Sequence, residues 1–469
     1  MWALTVLLCL LGYPFMTRAS VAMHNGSFIP DHVLRVNILP VHSACESQQS
    51  IVINGTSPGP LIRLMPGARA WIRVYNDMTH ENLTMHWHGL AQRMAPFADG
   101  SPMVSQWPIP PGHFFDYEIA TEVDDAGTYF YHSHVGMQAL SATGPLVVDD
   151  CGETPFHYDD ERILQFQDYF VKTNHEMVRS SRFPGGWMGE TRGILLNGLG
   201  VATGRSAAVG PPGGNRGYFG SRLGPHGQSD GHDTSPGSDV SSGTRGEFRV
   251  IQVEAPVHCT LPVIDVEPGK TYRFRLIGAT GLTYLAMAIE DHSDLTIFQV
   301  DGNEYNDPVT TDHVRIGSGQ RFDILLQAKT AEELREDGDR MTYFIQFEAL
   351  HSPDPYRGYA VIRYNADVEV PAAPQDPVLA LPDGDEPWLE YTLRPLHPER
   401  NQAPSAEEVT RRIIIDCEEK FDNKTKRVVW ELAHLSWTES EYRRPALVDI
   451  YQRGQAAIPN YDVALGNHG

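Results

Sequence analysis

Three observations predict an all-β protein made of tandem β-sandwich domains. Short runs of alternating apolar and polar residues follow one another between Ile51 and Asp149, turn residues separate them, and the pattern returns between Val263 and Ala279. A period of two is that of a strand with one buried face.

The runs of the first copy are SIVING, LIRLMPG, ARAWIRVYND, HFFDYEIAT, GTYFYHSH and GPLVVDD, with PG and NG pairs as turn signals. They read as antiparallel strands of a sandwich or barrel. The second copy follows from register. LIRLMPGARAWIRVYND (Leu61–Asp77) lies over VIDVEPGKTYRFRLIGA (Val263–Ala279), with Pro66 on Pro268 and Gly67 on Gly269. Ile72 and Val74 then fall on Phe274 and Leu276, the match expected of a duplicated β-domain.

The two copies part where chemistry would sit. His86 and His88 fall opposite about Ala288 and Glu290, and the nearby His292 is expected to be a surface histidine rather than a remnant of the pair.

Size and composition agree with several folded domains. A chain of 469 residues with 41% hydrophobic content can bury two or three cores. A net charge of -23 argues against nucleic acid or an anionic membrane as partner. Residues 1–22 read as a signal peptide: the apolar run from Trp2 to Leu11 is short, and small residues follow at Ala19 and Ala22. No later run approaches the roughly 18 apolar residues of a membrane span.

The expectation is therefore a secreted glycoprotein. Asn25, Asn54, Asn82 and Asn423 stand in acceptor sequons. Removing Cys9 with the signal leaves Cys45, Cys151, Cys259 and Cys417, an even set that permits two disulfides in any of three pairings.

Four segments follow the signal. Residues 23–155 form the first domain and 156–369 the second. The second carries an insertion over about 200–247, rich in Gly, Ser, Pro and Asp, whose composition predicts disorder. So long a loop is unusual in a compact domain, and an unspliced gene segment would read the same way. Residues 370–406 read as a Pro- and acid-rich linker, and 407–469 as the opening of a third β-unit too short to complete a sandwich.

The chemistry concentrates in two HxH pairs, His86/His88 in MHWHGL and His132/His134 in GTYFYHSHVG. On a strand, i and i+2 share a face, so each pair points one way. Imidazole-rich sites suit zinc, copper, iron or nickel, and spacing does not choose among them. Incidental histidines on half-exposed strands are the bland alternative. A zinc hydrolase is a weaker reading, since no general-base carboxylate accompanies the pairs at a recognisable spacing.

MHWHGL, FADGSPMVSQWPIPPG and AGTYFYHSHVG together resemble copper-ligand segments of the multicopper oxidases, most closely the laccase-like phenol oxidases of filamentous fungi that act in pigment and polyketide metabolism. The resemblance runs from about Ala44 to about Ala366, and more weakly beyond. It implies cupredoxin-like (plastocyanin-like) Greek-key domains, two complete and a third truncated, with copper as cofactor. His86 matches a type 2 copper ligand; His88, His132 and His134 match ligands of the type 3 pair. Asp99 matches an acidic residue that assists proton delivery to dioxygen, although Asp-Gly is also a favoured turn. Cys45 and Cys259 match a disulfide joining the first two domains.

The implied activity is one-electron oxidation or coupling of small phenolic substrates with reduction of dioxygen to water. Ascorbate oxidase and ferroxidase are alternatives. The resemblance also predicts HxxHxH and HCH segments in a third domain, and neither occurs in the sequence. The expectation is a chain without type 1 copper ligands and with half of the cluster ligands, or a copper-binding protein without turnover.

Overall fold

The computed structural model describes His24 and residues 27–150, 152, 154–173, 176–177, 191–200, 260–351, 356–382, 387–399, 404–412, 414–423, 427–432 and 443–458. The predicted signal, Asn25, Cys151, Cys259 and residues 201–247 of the predicted insertion lie outside these residues.

The first unit has eight strands: β1 (His32–Ser43), β2 (Glu46–Ile53), β3 (Ile62–Leu64), β4 (Arg69–Asn76), β5 (His86–His88), β6 (Phe114–Ala120), β7 (Gly127–His132) and β8 (Thr143–Val148). They form two sheets, ordered β2-β1-β4-β6 and β3-β8-β7-β5. Between the sheets lies one core in which Val36, Ile72, Val74, Trp87, Tyr117 and Tyr131 are fully buried.

The second unit has β9 (Asp160–Tyr169), β10 (Gly193–Leu196), β11 (Val263–Asp265), β12 (Thr271–Gly278), β13 (Leu285–Ile289), β14 (Leu295–Val300), β15 (Tyr305–Thr311), β16 (His313–Ile316), β17 (Arg321–Gln327), β18 (Thr342–Ala349) and β19 (Arg357–Arg363). Its sheets run β10-β9-β12-β17-β14-β15 and β11-β19-β18-β13-β16. A short helix α1 (Ala331–Glu336) follows β17, its first turn closed by a reciprocal Thr330–Glu333 capping box.

The duplication read from the sequence is also a duplication of topology. β1 runs parallel to β4 as β9 does to β12, and β3 parallel to β8 as β11 does to β19. β7 pairs with β5 as β18 does with β13. Phe274 and Leu276 are as deeply buried as their counterparts Ile72 and Val74.

These parallel pairs stand beside the antiparallel ones that the sequence predicts. Local alternation reports which face is buried, not which strand lies alongside, and each unit brings distant segments together by crossing between sheets. Strand β1 was not anticipated. Its burial alternates only around Leu34 and Val36, and from Leu39 to Val41 no residue is buried, so its pattern fades.

His292 is not a surface residue. It is 7% exposed, its Nδ1 donates to the Glu290 carbonyl at 2.7 Å, and its Nε2 lies 2.7 Å from the Tyr364 hydroxyl. Burial lowers its pKa, so the neutral ring accepts from Tyr364. Cys45 is disulfide-bonded, with a partner outside the described residues. Among the described residues Cys417 is a free, exposed thiol, so the pairings that use it are not made.

Buried charges join the two units. Arg273 and Arg275 on β12 both reach Asp323 on β17, and Arg273 also reaches Asp150 at 2.8 Å. From β7 of the first unit, Thr128 donates to Asp323 at 2.5 Å and accepts from Arg275 at 2.8 Å. A buried charge persists only where such partners satisfy it.

The Pro- and acid-rich stretch after residue 370 runs along the second unit. Gln346 exchanges hydrogen bonds with Val378 and Leu379, and Tyr305 and Asp307 bond to the backbones of Leu396 and Arg394. Further on, β20 (Cys417–Asp422) and β21 (Arg427–Leu432) form a two-stranded hairpin, and α2 (Ala446–Arg453) follows. Ala446 and Leu447 donate to the carbonyls of Met103 and Val104 in the first unit. Among the described residues no helix is long and apolar enough to cross a membrane.

Trp87, fully buried behind the HxH pair, and Trp430, 63% exposed on the hairpin, make a direct comparison. Trp87→Ala is expected to lower the unfolding free energy by about 3–5 kcal/mol, and Trp430→Ala to change it by no more than about 0.5 kcal/mol. Urea unfolding of both variants checks this, and equal losses would contradict the assigned core.

Candidate metal centre

The site begins with one antiparallel pairing. β5 and β7 align His86 with His132, Trp87 with Tyr131 and His88 with Phe130. Strand alternation sends Trp87 and Tyr131 into the core and turns the histidines to the other face. His134 lies two residues past the end of β7 and keeps the same side.

The rings stand close together. Centroids of His86 lie 5.7 Å from His88, 5.3 Å from His132 and 5.7 Å from His134, and His88 and His132 are 5.6 Å apart. Ligand atoms of His86, His88 and His132 all fall within 4.8 Å of one another, and His134 stands beside this trio. The structure thus brings together all four histidines singled out in the sequence, three of them tightly.

Hydrogen bonds decide which nitrogens face the centre. His86 Nδ1 donates to the Asp99 carbonyl at 2.7 Å, and His132 Nδ1 to the Ser133 carbonyl at 2.9 Å, leaving Nε2 of each as a donor for a metal. His88 is reversed: its Nδ1 is the atom 3.4 Å from His132 Nε2.

Burial opposes protonation of three of the rings, His88, His132 and His134. The pKa of His88 falls to about 3, chiefly by burial and then through the Arg321 charge. That of His132 falls to about 4, chiefly by burial, and that of His134 is lowered by burial and by the neighbouring His86. A metal binds the neutral imidazole, so burial that opposes protonation readies these rings as ligands.

Asp99 sits in a tight turn and reaches His86 from it. Gly100, at φ +86°, lets the Asp-Gly turn pass so close to β5 that a Cβ there would collide with the Met85 carbonyl. The turn places the Asp99 carbonyl on His86 and one carboxylate oxygen 3.4 Å from His86 Nδ1. The other accepts from Ser101 at 2.5 Å. These contacts, His86 first, hold the carboxyl at a pKa of about 2.

Sequence reasoning missed the contribution of the second unit. Phe130, which stacks on His88 at 4.5 Å, packs against Ile277 and Ala279, and the buried Arg321 guanidinium lies beside His88. The glycine-rich GSGQR, Gly317–Arg321, reads only as a turn. Of the sequons, Asn54, Asn82 and Asn423 are described, and all three are exposed.

The chain matches two family models, each described as multicopper oxidase, over residues 36–152 and 160–367. A laccase-like multicopper oxidase of Thermothelomyces thermophilus is 61% identical over 454 residues, 96% of this chain and 68% of that protein. A multicopper oxidase of Gibberella zeae, aurL2, is 37% identical over 480 residues, covering 98% of this chain and 71% of its own length. Among solved structures, Fet3p, a multicopper oxidase that functions in iron import, matches with a TM-score of 0.69 over 93% of this chain and 69% of that one. At 20% identity this last likeness concerns the fold.

In the metal-free protein, His88 and His132 are expected to titrate at about 3 and about 4 rather than at the ordinary 6.5. Below about pH 6.5 the unfolded chain then binds more protons than the folded one, so stability falls with pH over that range. Imidazole NMR titration together with urea unfolding at stepped pH checks both, and a His88 titrating near neutrality would contradict the assigned burial.

Proposed function

The chain belongs to the multicopper oxidase family, and on that premise we propose that it takes electrons singly from small phenolic compounds, with His86, His88, His132 and His134 as copper ligands. It is a laccase-like oxidoreductase with copper as its cofactor. The observation that carries the ligand assignment is the convergence of imidazoles, three of them with ligand atoms within 4.8 Å.

Copper, when bound, supplies one-electron redox chemistry, which suits a donor that releases one electron at a time to an acceptor, dioxygen, that needs four. The protein's own residues prepare that site. Asp99 and Ser133 orient His86 and His132 through their carbonyls, and the depressed pKa of His132 keeps its other nitrogen open. The Asp99 carboxylate, held beside His86 and Ser101, is the acidic group placed to accept or release a proton at this face.

Phenolic polyketides of pigment metabolism are the substrates we favour, by resemblance of the motifs to the fungal group. Export is supported by the Cys45 disulfide, which points to an oxidising compartment, and by the exposed sequons at Asn54 and Asn423.

The chain is expected to bind copper and to lose more than about 100-fold in copper affinity on His132→Ala, beyond the roughly 10- to 100-fold that an orienting partner is worth. Buffered copper titration with elemental analysis checks this, and unchanged copper in His132→Ala would refute the ligand set. Oxygen consumption with a phenol, ascorbate and ferrous iron separates the substrate readings: phenol is expected to be preferred, and no consumption with any donor favours copper binding alone.

A further inference from the structure

The connection from β16 to β17, Gly317 to Gln320, belongs to the second unit yet forms a wall of the histidine site in the first. It is held at both ends: Gly319 donates to the Gly278 carbonyl at 2.8 Å, and Gly278 donates to that of Gln320 at 2.9 Å. At Gly319, with φ +81°, a Cβ would stand 2.8 Å from Nε2 and 2.9 Å from Cε1 of His88. The backbone therefore packs directly on the ring edge opposite His132, and only glycine leaves the ring in place.

Arg321 locks this wall to the strand that carries the second HxH pair. Its Nε donates to the Thr128 carbonyl on β7 at 3.1 Å, and Nη1 donates to that of Gly319 at 2.8 Å. Nη2 donates to the Asp301 carbonyl, and the side chain is 5% exposed. A histidine can offer either nitrogen to a metal, and the surroundings of one decide for the other.

We propose that Gly319 and Arg321 are positioning residues for the copper site: with Nε2 of His88 closed off by the second unit's backbone, Nδ1 is the nitrogen left facing His132. The two HxH strands then do not make a complete site by themselves, and the second unit supplies the orientation of one ligand. This rests on the reading of His88 as a copper ligand.

The test compares Gly319→Ala with Gly269→Ala in the full chain. Gly269 has nearly the same backbone strain, φ +76°, but an added Cβ there meets nothing within 4 Å, so it isolates strain from collision. Copper affinity by buffered titration with elemental analysis, and the 15N signals of His88 in the metal-free protein, are read for both. Gly319→Ala is expected to weaken copper binding about 10- to 100-fold and to move the His88 signals, with Gly269→Ala changing neither. Wild-type affinity and unmoved His88 signals in Gly319→Ala overturn the proposal.

Should Gly319→Ala fail to fold, Arg321→Lys replaces it. Lysine keeps the charge but not the planar fork that reaches the carbonyls of Thr128, Gly319 and Asp301. The same two shifts support the proposal, and their absence refutes it. His88→Ala separates the premises: full copper affinity there refutes the ligand reading, whereas loss there with an unaffected Gly319→Ala refutes the positioning alone.

Discussion

The site depends on the register that sets His86 opposite His132. Because side chains alternate across a strand, this alignment sends Trp87 and Tyr131 into the core and the imidazoles to the opposite face. A slip of one residue would exchange the two sets, exposing a large aromatic pair and burying unpaired imidazoles. The core therefore enforces the site: burial of Trp87 and Tyr131 is what holds the histidines where they converge.

Convergence has an electrostatic cost that burial makes tolerable. Charged imidazoles packed at these separations would repel one another, and desolvation disfavours the charged form of each. With His88 and His132 held neutral, the repulsion is removed and lone pairs take its place at the centre. The nearby Arg321 acts in the same direction, since a buried cation opposes a second one beside it.

The second unit shows what the same topology does without this chemistry. Strand β13 stands where β5 stands, but β16 is added on its far side and all five of its residues are buried. Ala288 and Glu290 occupy the histidine positions, and Glu290 pairs with Arg340 instead of a metal. What this unit contributes is a brace, through Asp323 on Thr128 and through the Gly319 backbone on His88.

Much of this was legible in the sequence because it is periodic or local. Alternation reported the β-fold, the Pro66/Pro268 register reported the duplication, and i,i+2 spacing reported that each histidine pair shares a face. Asp99 and Gly100 were legible as a turn, since a turn is set by neighbours in the chain. The parallel pairings, the burial of His292 and the free Cys417 were not, because each depends on which distant segment lies alongside. Spacing could say that four imidazoles exist in pairs. Only the tertiary structure decided that they meet, which nitrogens His86, His88 and His132 present, and that a glycine and an arginine far along the chain lie against the site, since packing and low-dielectric burial arise from contacts that no local pattern encodes.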